Sequence, residues 1–375
     1  MTQPIVVVLG MHRSGTSLLA NILNVLGVDF GPQLLPANLH NEAGYWEQTE
    51  IYQTQESLLH CLGRNWSGPA WTNPFPLEWH RVPELQPFKD QLIAIVRKEL
   101  AQTKGVWGFK DPRTSRLLPL WKEIFDELQL EPLYLLAVRE PSAVVESVLK
   151  RDGLPASRVE LLWLLHNHEA VRDAGAGLRL VVDYDRWFTA PREQSRVVAE
   201  ALNLPWPDST DTLVAEIQQR IRPELRHYQA PLASSLLPFV TETYAALRHA
   251  AFTGTHAGLC DLQTHIGLAL SLCSPWLEAI NEVAFSRQTV GVVRKDGQSA
   301  SFPGRDEFDE LRYLSAHQDV AEAVRQGQCG SGWDHFVHYG FAERRCWFQK
   351  DIPEAEASPA TPLAASVVQT QSTVK

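Results

Sequence analysis

The residues most able to do chemistry lie near the start of the chain: Gly10-Met11-His12-Arg13-Ser14-Gly15-Thr16-Ser17. They combine glycines, hydroxyls and one guanidinium. The apolar run Ile5–Leu9 leads in, and a helical spacing over Leu18–Leu23 leads out. Strand, polar loop, helix is the order of a phosphate cradle, in which successive backbone N–H groups converge on an anion and the helix dipole adds attraction. Gly10 and Gly15 have the spacing of a nucleotide-binding loop, yet Thr16 stands where a lysine ordinarily follows the second glycine. Arg13 is left as the loop's strong cation. The loop suits a phosphate-like group outside ordinary triphosphate chemistry. A plain tight turn is the alternative, and the flanking strand and helix weigh against it.

Three more islands carry charged groups at element ends. In Val138-Arg139-Glu140-Pro141, the arginine follows an apolar run, and Ser147 comes eight residues later on a helix opened by Pro141. Either Arg139 and Ser147 grip one phosphate from two sides, or Arg139 pairs with Glu140 or Glu146 at the surface. Lys110-Asp111-Pro112-Arg113 also follows a short strand. It supplies cations and a carboxylate to a reacting group, or it is a solvated turn with an internal salt bridge. Gly44-Tyr45-Trp46-Glu47, with Asn41 shortly before, sets a carboxylate among aromatics. Such a setting raises a carboxylate toward a general-base pKa; a helix-start glutamate on the dipole is the competing reading.

The elements that must position these groups alternate. Strands are expected at 5–9, 106–109, 133–138 and 178–182. Helices are expected at 16–26, 50–62, 84–102, 141–151, 159–172, 192–202 and 211–221. The alternation predicts an α/β fold, a three-layer P-loop-type parallel sheet with helices on both faces. Residues 1–228 form that domain. Residues 229–300 are a helical segment of unassigned role, ending in the Gly/Ser/Pro-rich loop 298–305. Residues 301–349 are a small helical module, and 350–375 a tail too poor in bulky apolar groups to order itself.

Composition narrows the partners. A net charge of −10 argues against a nucleic-acid or anionic-membrane surface, so local cations must hold any anionic ligand. No apolar run reaches the length of a membrane span or secretory signal, and the expected location is cytoplasmic. The five scattered cysteines form no CxxC pair, so neither a disulfide framework nor a zinc site is expected. His166 and His168, two apart on a helix, make a poor metal pair, as do His335 and His338 without a further ligand. The tryptophans between 46 and 79 either stack on a sugar or fill the core.

Taken together, Arg-Ser-Gly-Thr after a strand, Lys-Asp-Pro-Arg, strand-Arg-Glu-Pro with Ser147, and Val-Val-Asp-Tyr-Asp resemble the sulfotransferases that use 3′-phosphoadenosine 5′-phosphosulfate. The bacterial members resemble it most, over about residues 4–228. The resemblance implies that Gly10, His12, Arg13, Ser14, Gly15, Thr16 and Ser17 hold the 5′-phosphosulfate. Arg13 stands where many relatives have a lysine that stabilises the leaving oxygen. Arg139 and Ser147 match the 3′-phosphate pair, Tyr184 an aromatic near the adenine, and Lys110 a lysine near the transferred sulfuryl group. Cytosolic relatives have a histidine after that lysine; here Asp111 and Pro112 follow. Glu47 is therefore the first choice for the base and Asp111 the second. The implied donor is 3′-phosphoadenosine 5′-phosphosulfate without a metal. The implied acceptor is a hydroxyl, and the 308–345 unit, similar to modules appended to polysaccharide-pathway transferases, points to a saccharide or glycoconjugate. A P-loop small-molecule kinase and a non-catalytic nucleotide-binding scaffold are the alternatives.

Overall fold

The computed structural model describes residues 3–36, 44–66, 68–207, 210–223, 237, 239–255, 257–289, 308–326 and 329–336. Asn41, the 298–305 loop, His338 and the 350–375 tail lie outside the described residues.

The chain opens with β1 (Gln3–Leu9), α1 (Thr16–Val25), the two-residue β2 (Val28–Asp29), α2 (Thr49–Cys61) and α3 (Gln86–Gln102). It continues through β3 (Val106–Lys110), α4 (Thr114–Glu127), β4 (Leu130–Val138), α5 (Pro141–Asp152), α6 (Ala156–Ala174) and β5 (Leu178–Asp183). Then come the short α7 (Arg186–Thr189), α8 (Pro191–Ala201), α9 (Asp211–Arg220), α10 (Val240–Thr253) and α11 (Ala257–Thr289). Three short helices follow, α12 (Glu310–Ala316), α13 (Gln318–Arg325) and α14 (Gly332–His335).

The sheet is five-stranded and parallel throughout, in the order β2-β3-β1-β4-β5. Both faces are covered, as the continuous burial of β1 and β4 requires. Alternation along β1 divides its side chains between two cores. Ile5, Val7 and Leu9 join the core formed with α2, α3, α4, α6 and α10, whereas Val6 and Val8 join the one formed with α1, α8 and α9. The expected three layers are thus present.

Three elements are not expected from the sequence. β2 and the four-residue α7 are too short to leave a periodic signal. α4 contains Pro119, which lacks an N–H and crowds the preceding turn. The helix persists because Leu117, Leu118, Leu120, Trp121, Ile124 and Phe125 are all buried in the core. The segment after residue 236 is helical as expected, and α10 packs on β5 and α6 with Val240, Leu247 and Ala250 buried.

The chain divides into two compact units, Met1–Val283 and Ala284–Lys375. The described part of the second has its own small core of Phe308, Tyr313, Val320 and Phe336. There the Glu310 carboxylate accepts the Trp333 N–H at 3.0 Å. No helix among the described residues is long and apolar enough to cross a membrane.

Candidate active site

Three of the four islands, and Tyr184, leave the carboxyl ends of adjacent strands, where ligands bind in open parallel sheets, while Gly44–Glu47 lies in the segment between β2 and α2. The loop follows β1, Lys110–Arg113 follows β3, Arg139 follows β4 and Tyr184 follows β5.

The loop is shaped by backbone that only a few residues accept. Gly10 has φ 136°, and a Cβ there would lie 2.6 Å from the Ala137 carbonyl oxygen. Its N–H donates to Ser115 Oγ at 2.8 Å, and the Ser14 N–H donates to Met11 O at 3.2 Å, so both amides are spent on holding the loop. Gly15 has φ 89°, and a Cβ there would overlap the Tyr184 ring. Gly15 is also the N-cap of α1, and no side chain caps the helix. The first-turn N–H groups from Thr16 onward lack intrahelical acceptors, as at any helix start, and such an end can receive an anion.

Arg13 sits in the left-handed region at φ 67°, an uncommon conformation for a non-glycine residue. Its Nε donates to Ser147 Oγ at 2.8 Å. Its carbonyl accepts from Arg139 Nη1 at 3.2 Å. The Arg139 guanidinium lies 4.5 Å over the Tyr184 ring, which itself packs against Gly15. Arg13, Gly15, Arg139, Ser147 and Tyr184 therefore form one cluster at the loop. Arg139 is buried, not a surface side chain; Glu140 instead caps α5 by accepting the Ala143 N–H at 2.8 Å. Burial, and then the Arg151 and Arg139 charges, lower the Arg13 pKa.

A second cluster adjoins the loop through Ser17. Lys110 Nζ donates to Glu47 Oε1 at 2.7 Å, to Tyr45 O at 2.9 Å and to Ser17 Oγ at 3.3 Å. Ser17 Oγ in turn donates to Tyr45 O at 3.1 Å. The Glu47 segment is fixed by an antiparallel bridge between Leu34 and Gln48 and by the Leu35 N–H, which donates to Glu47 O at 2.8 Å. Trp46 is left-handed at φ 60°, so a strained residue stands beside each cluster's key charge. Glu47 is not the helix-start residue: Gln48 caps α2, its side chain accepting the Ile51 N–H at 2.8 Å.

The Lys110–Arg113 turn does contain an internal salt bridge, but it is buried, not solvated. Asp111 Oδ1 accepts the Arg113 N–H at 2.9 Å and Arg113 Nη1 at 3.0 Å. Arg113 also pairs with Glu56 and approaches Glu47 Oε2 at 3.8 Å. Asp111 Oδ2 is buried without a partner. Burial pushes the Asp111 carboxyl up to about 6, with Arg113 opposing and Glu47 adding.

His12 turns toward α6 and packs against Trp66, ring centroids 4.2 Å apart and planes tilted by 50°. Among the tryptophans weighed for sugar stacking, Trp71 and Trp79 are core residues and Trp66 is half-buried. His166 and His168 are buried, and no group of three or more His, Cys, Asp or Glu among the described residues can hold a metal. Sequence reasoning missed Ser115, which lies in the unexpected α4 and holds Gly10. It gave Tyr45 no role of its own, because Tyr45 acts through its carbonyl, which leaves no side-chain signal.

No family model matches the chain, and no curated protein matches it. Among solved structures it is similar to the sulfotransferase domain of the Synechococcus PCC 7002 olefin synthase, at 21% identity and a TM-score of 0.42, over 65% of this chain and 95% of that one. It is similar to the sulfotransferase domain of the curacin biosynthetic pathway, at 16% identity and a TM-score of 0.36, over 66% and 98%. It is also similar to a sulfotransferase from Mycobacterium avium, at 12% identity and a TM-score of 0.37, over 68% and 77%. Each of these solved structures is a sulfotransferase or a sulfotransferase domain.

Proposed function

We propose that the protein transfers a sulfuryl group from 3′-phosphoadenosine 5′-phosphosulfate to a hydroxyl of a saccharide or glycoconjugate. The observation that carries this reading is the convergence of Arg13, Ser147, Arg139 and Tyr184 from three strand ends on one loop. Residues 126 and 134 positions apart meet there, in a pattern that suits two phosphates on one adenine nucleotide. The first-turn amides of α1 and Arg13 hold the 5′ side. Arg139 and Ser147 hold the 3′-phosphate, and Tyr184 lies beside the base.

The Glu47–Lys110 pair supplies the chemistry. As the acceptor oxygen bonds to sulfur, the bond from sulfur to the phosphate oxygen breaks. Glu47 takes the hydroxyl proton, and Lys110 and Arg13 meet the charge growing on the departing phosphate. Lys110 touches both Glu47 and Ser17, which puts the base one side chain from the loop. Asp111 is the second candidate, with one oxygen unpartnered. No divalent metal is assigned a role. The loop lacks the lysine of triphosphate chemistry, which sets the kinase reading behind this one.

Calorimetry with 3′-phosphoadenosine 5′-phosphate tests the donor site. Binding is expected, and Arg139→Ala should weaken it at least ~10-fold by removing a charge-assisted contact. Unchanged affinity in that variant would remove the reading's support. Glu47→Gln should abolish transfer while nucleotide affinity holds; if Asp111→Asn does so instead, the base is Asp111.

A further inference from the structure

Two imidazoles stand between the loop and α6. The His166 ring, fully buried, lies 6.4 Å from His12, 6.4 Å from Trp66 and 5.7 Å from Trp71, centroid to centroid. His166 Nδ1 is 2.7 Å from Leu162 O. Only an N–H satisfies a carbonyl, so that contact assigns the proton to Nδ1 and a lone pair to Nε2. His166 Nε2 is closed off from solvent and has no partner, and His12 Nε2 is in the same state. A direct hydrogen bond between the two nitrogens is not made.

Both rings are neutral. Burial lowers His166 to about 3, with Arg116 and Arg113 adding. Burial also lowers His12, with Arg113, Arg151, His166 and Lys110 adding. These surrounding cations have acceptors of their own. Arg151 is paired with Asp152, Arg116 with Glu169, Arg113 with Asp111 and Glu56, and Lys110 with Glu47. A buried polar atom left unmatched costs about 1–3 kcal/mol, so each one calls for an explanation, a bound group being one. Such a group must bring a donor. A hydroxyl, which both gives and takes a hydrogen bond, donates its one proton to His166 Nε2 and accepts from His12 in the Nε2–H tautomer. An anionic group offers acceptors alone and leaves His166 Nε2 unmatched. Trp66, half-buried against His12 and with the Arg151 guanidinium 5.6 Å from its ring centroid, adds an aromatic wall.

We infer that His12 and His166 are the specificity pair of the acceptor subsite, their Nε2 atoms bonding a hydroxyl of a neutral sugar ring laid against Trp66. This rests on the sulfuryl-transfer reading above. The sugar's next hydroxyl would then be the one offered to Glu47.

The test uses the full chain, a radiolabelled sulfate donor, a panel of neutral p-nitrophenyl glycosides, and 2-naphthol as a flat alcohol with no second hydroxyl. Nucleotide affinity is measured in parallel. Glycosides should be labelled in preference to 2-naphthol. His166→Leu should cut kcat/KM for glycosides ~10-fold or more, chiefly through KM, since one buried hydrogen bond is lost. His166→Gln, which restores an acceptor, should recover most of that loss. Trp66→Ala, at a half-buried position that perturbs folding less, should raise the glycoside KM with kcat held. Nucleotide affinity should stay within about twofold in all three variants. The proposal is overturned if 2-naphthol is preferred, if no glycoside is labelled although the nucleotide binds, or if His166→Leu and Trp66→Ala leave the glycoside KM unmoved. A wild-type chain that binds no nucleotide sinks the sulfuryl-transfer reading itself, a separate result.

Discussion

Single residues decide how the loop is held. Gly15 has room for nothing but hydrogen, because the Tyr184 ring occupies the space of a Cβ and φ is left-handed. Gly15→Ala should therefore push Tyr184 from beneath Arg139 and weaken 3′-phosphoadenosine 5′-phosphate at least ~10-fold, read by calorimetry. Acid response is also set residue by residue. His166 and His168 are held neutral, lowered by burial to about 3 and about 4. The unfolded chain binds more protons at these sites below pH 6.5, so their stabilisation is complete above that pH and is lost as pH falls toward 3. Asp111 works in the opposite sense: raised to about 6, it favours the folded state at low pH and loses that advantage as pH rises through 6. Among the described residues, four histidines, His12, His80, His166 and His168, are lowered against three raised carboxyls, Glu99, Asp111 and Asp183, so urea midpoints should fall from pH 7 to pH 5. His166→Gln should make that fall shallower. At this scale the sequence showed which groups were present, but not their state. Burial alone separates Glu47 and Asp111 from ordinary surface carboxylates, and burial is not a local property.

At the scale of elements, α4 and α6 are joined by a buried ion pair. Arg116 Nε meets Glu169 Oε2 at 2.7 Å and Nη2 meets Oε1 at 3.0 Å, while Nη2 also donates to Asn73 O at 3.0 Å. Arg116 also donates to Trp71 O, and its guanidinium lies 4.6 Å over the Trp71 ring. The pair thus ties the 69–73 segment, next to Trp66, to two helices behind the loop. Removing one partner leaves the other charged and buried. Glu169→Ala should cost about 3–5 kcal/mol in chemical denaturation. The surface pair Arg196–Glu200, four residues apart on α8, should cost under about 1 kcal/mol when broken, and makes the control. Most elements were legible in the sequence because period and punctuation are local: Pro141 opens α5, and the apolar run of β4 is continuous. α4 was not, because its proline is a local signal against a helix that tertiary burial overrides.

Across the whole molecule, the groups proposed for catalysis belong to the first compact unit, Met1–Val283. α10 is part of that unit's core, through Val240, Leu247 and Ala250. A chain ending after residue 289 should keep nucleotide affinity within about twofold. One ending after residue 228 should lose cooperative unfolding in a thermal melt, because it strips apolar cover from β5 and α6. By itself the sequence determined the strand–loop–helix cradle, the parallel sheet and the identities of the charged groups placed at strand ends. Those features arise from neighbours within a few residues, where backbone preference and apolar periodicity act directly. Only the tertiary structure decided that Arg13 meets Ser147, that Lys110 joins Glu47 to Ser17, and that His12 comes edge-on to His166 beside Trp66. Those meetings depend on sheet order and on which side chains lose water, and both are fixed by packing across distant stretches of chain.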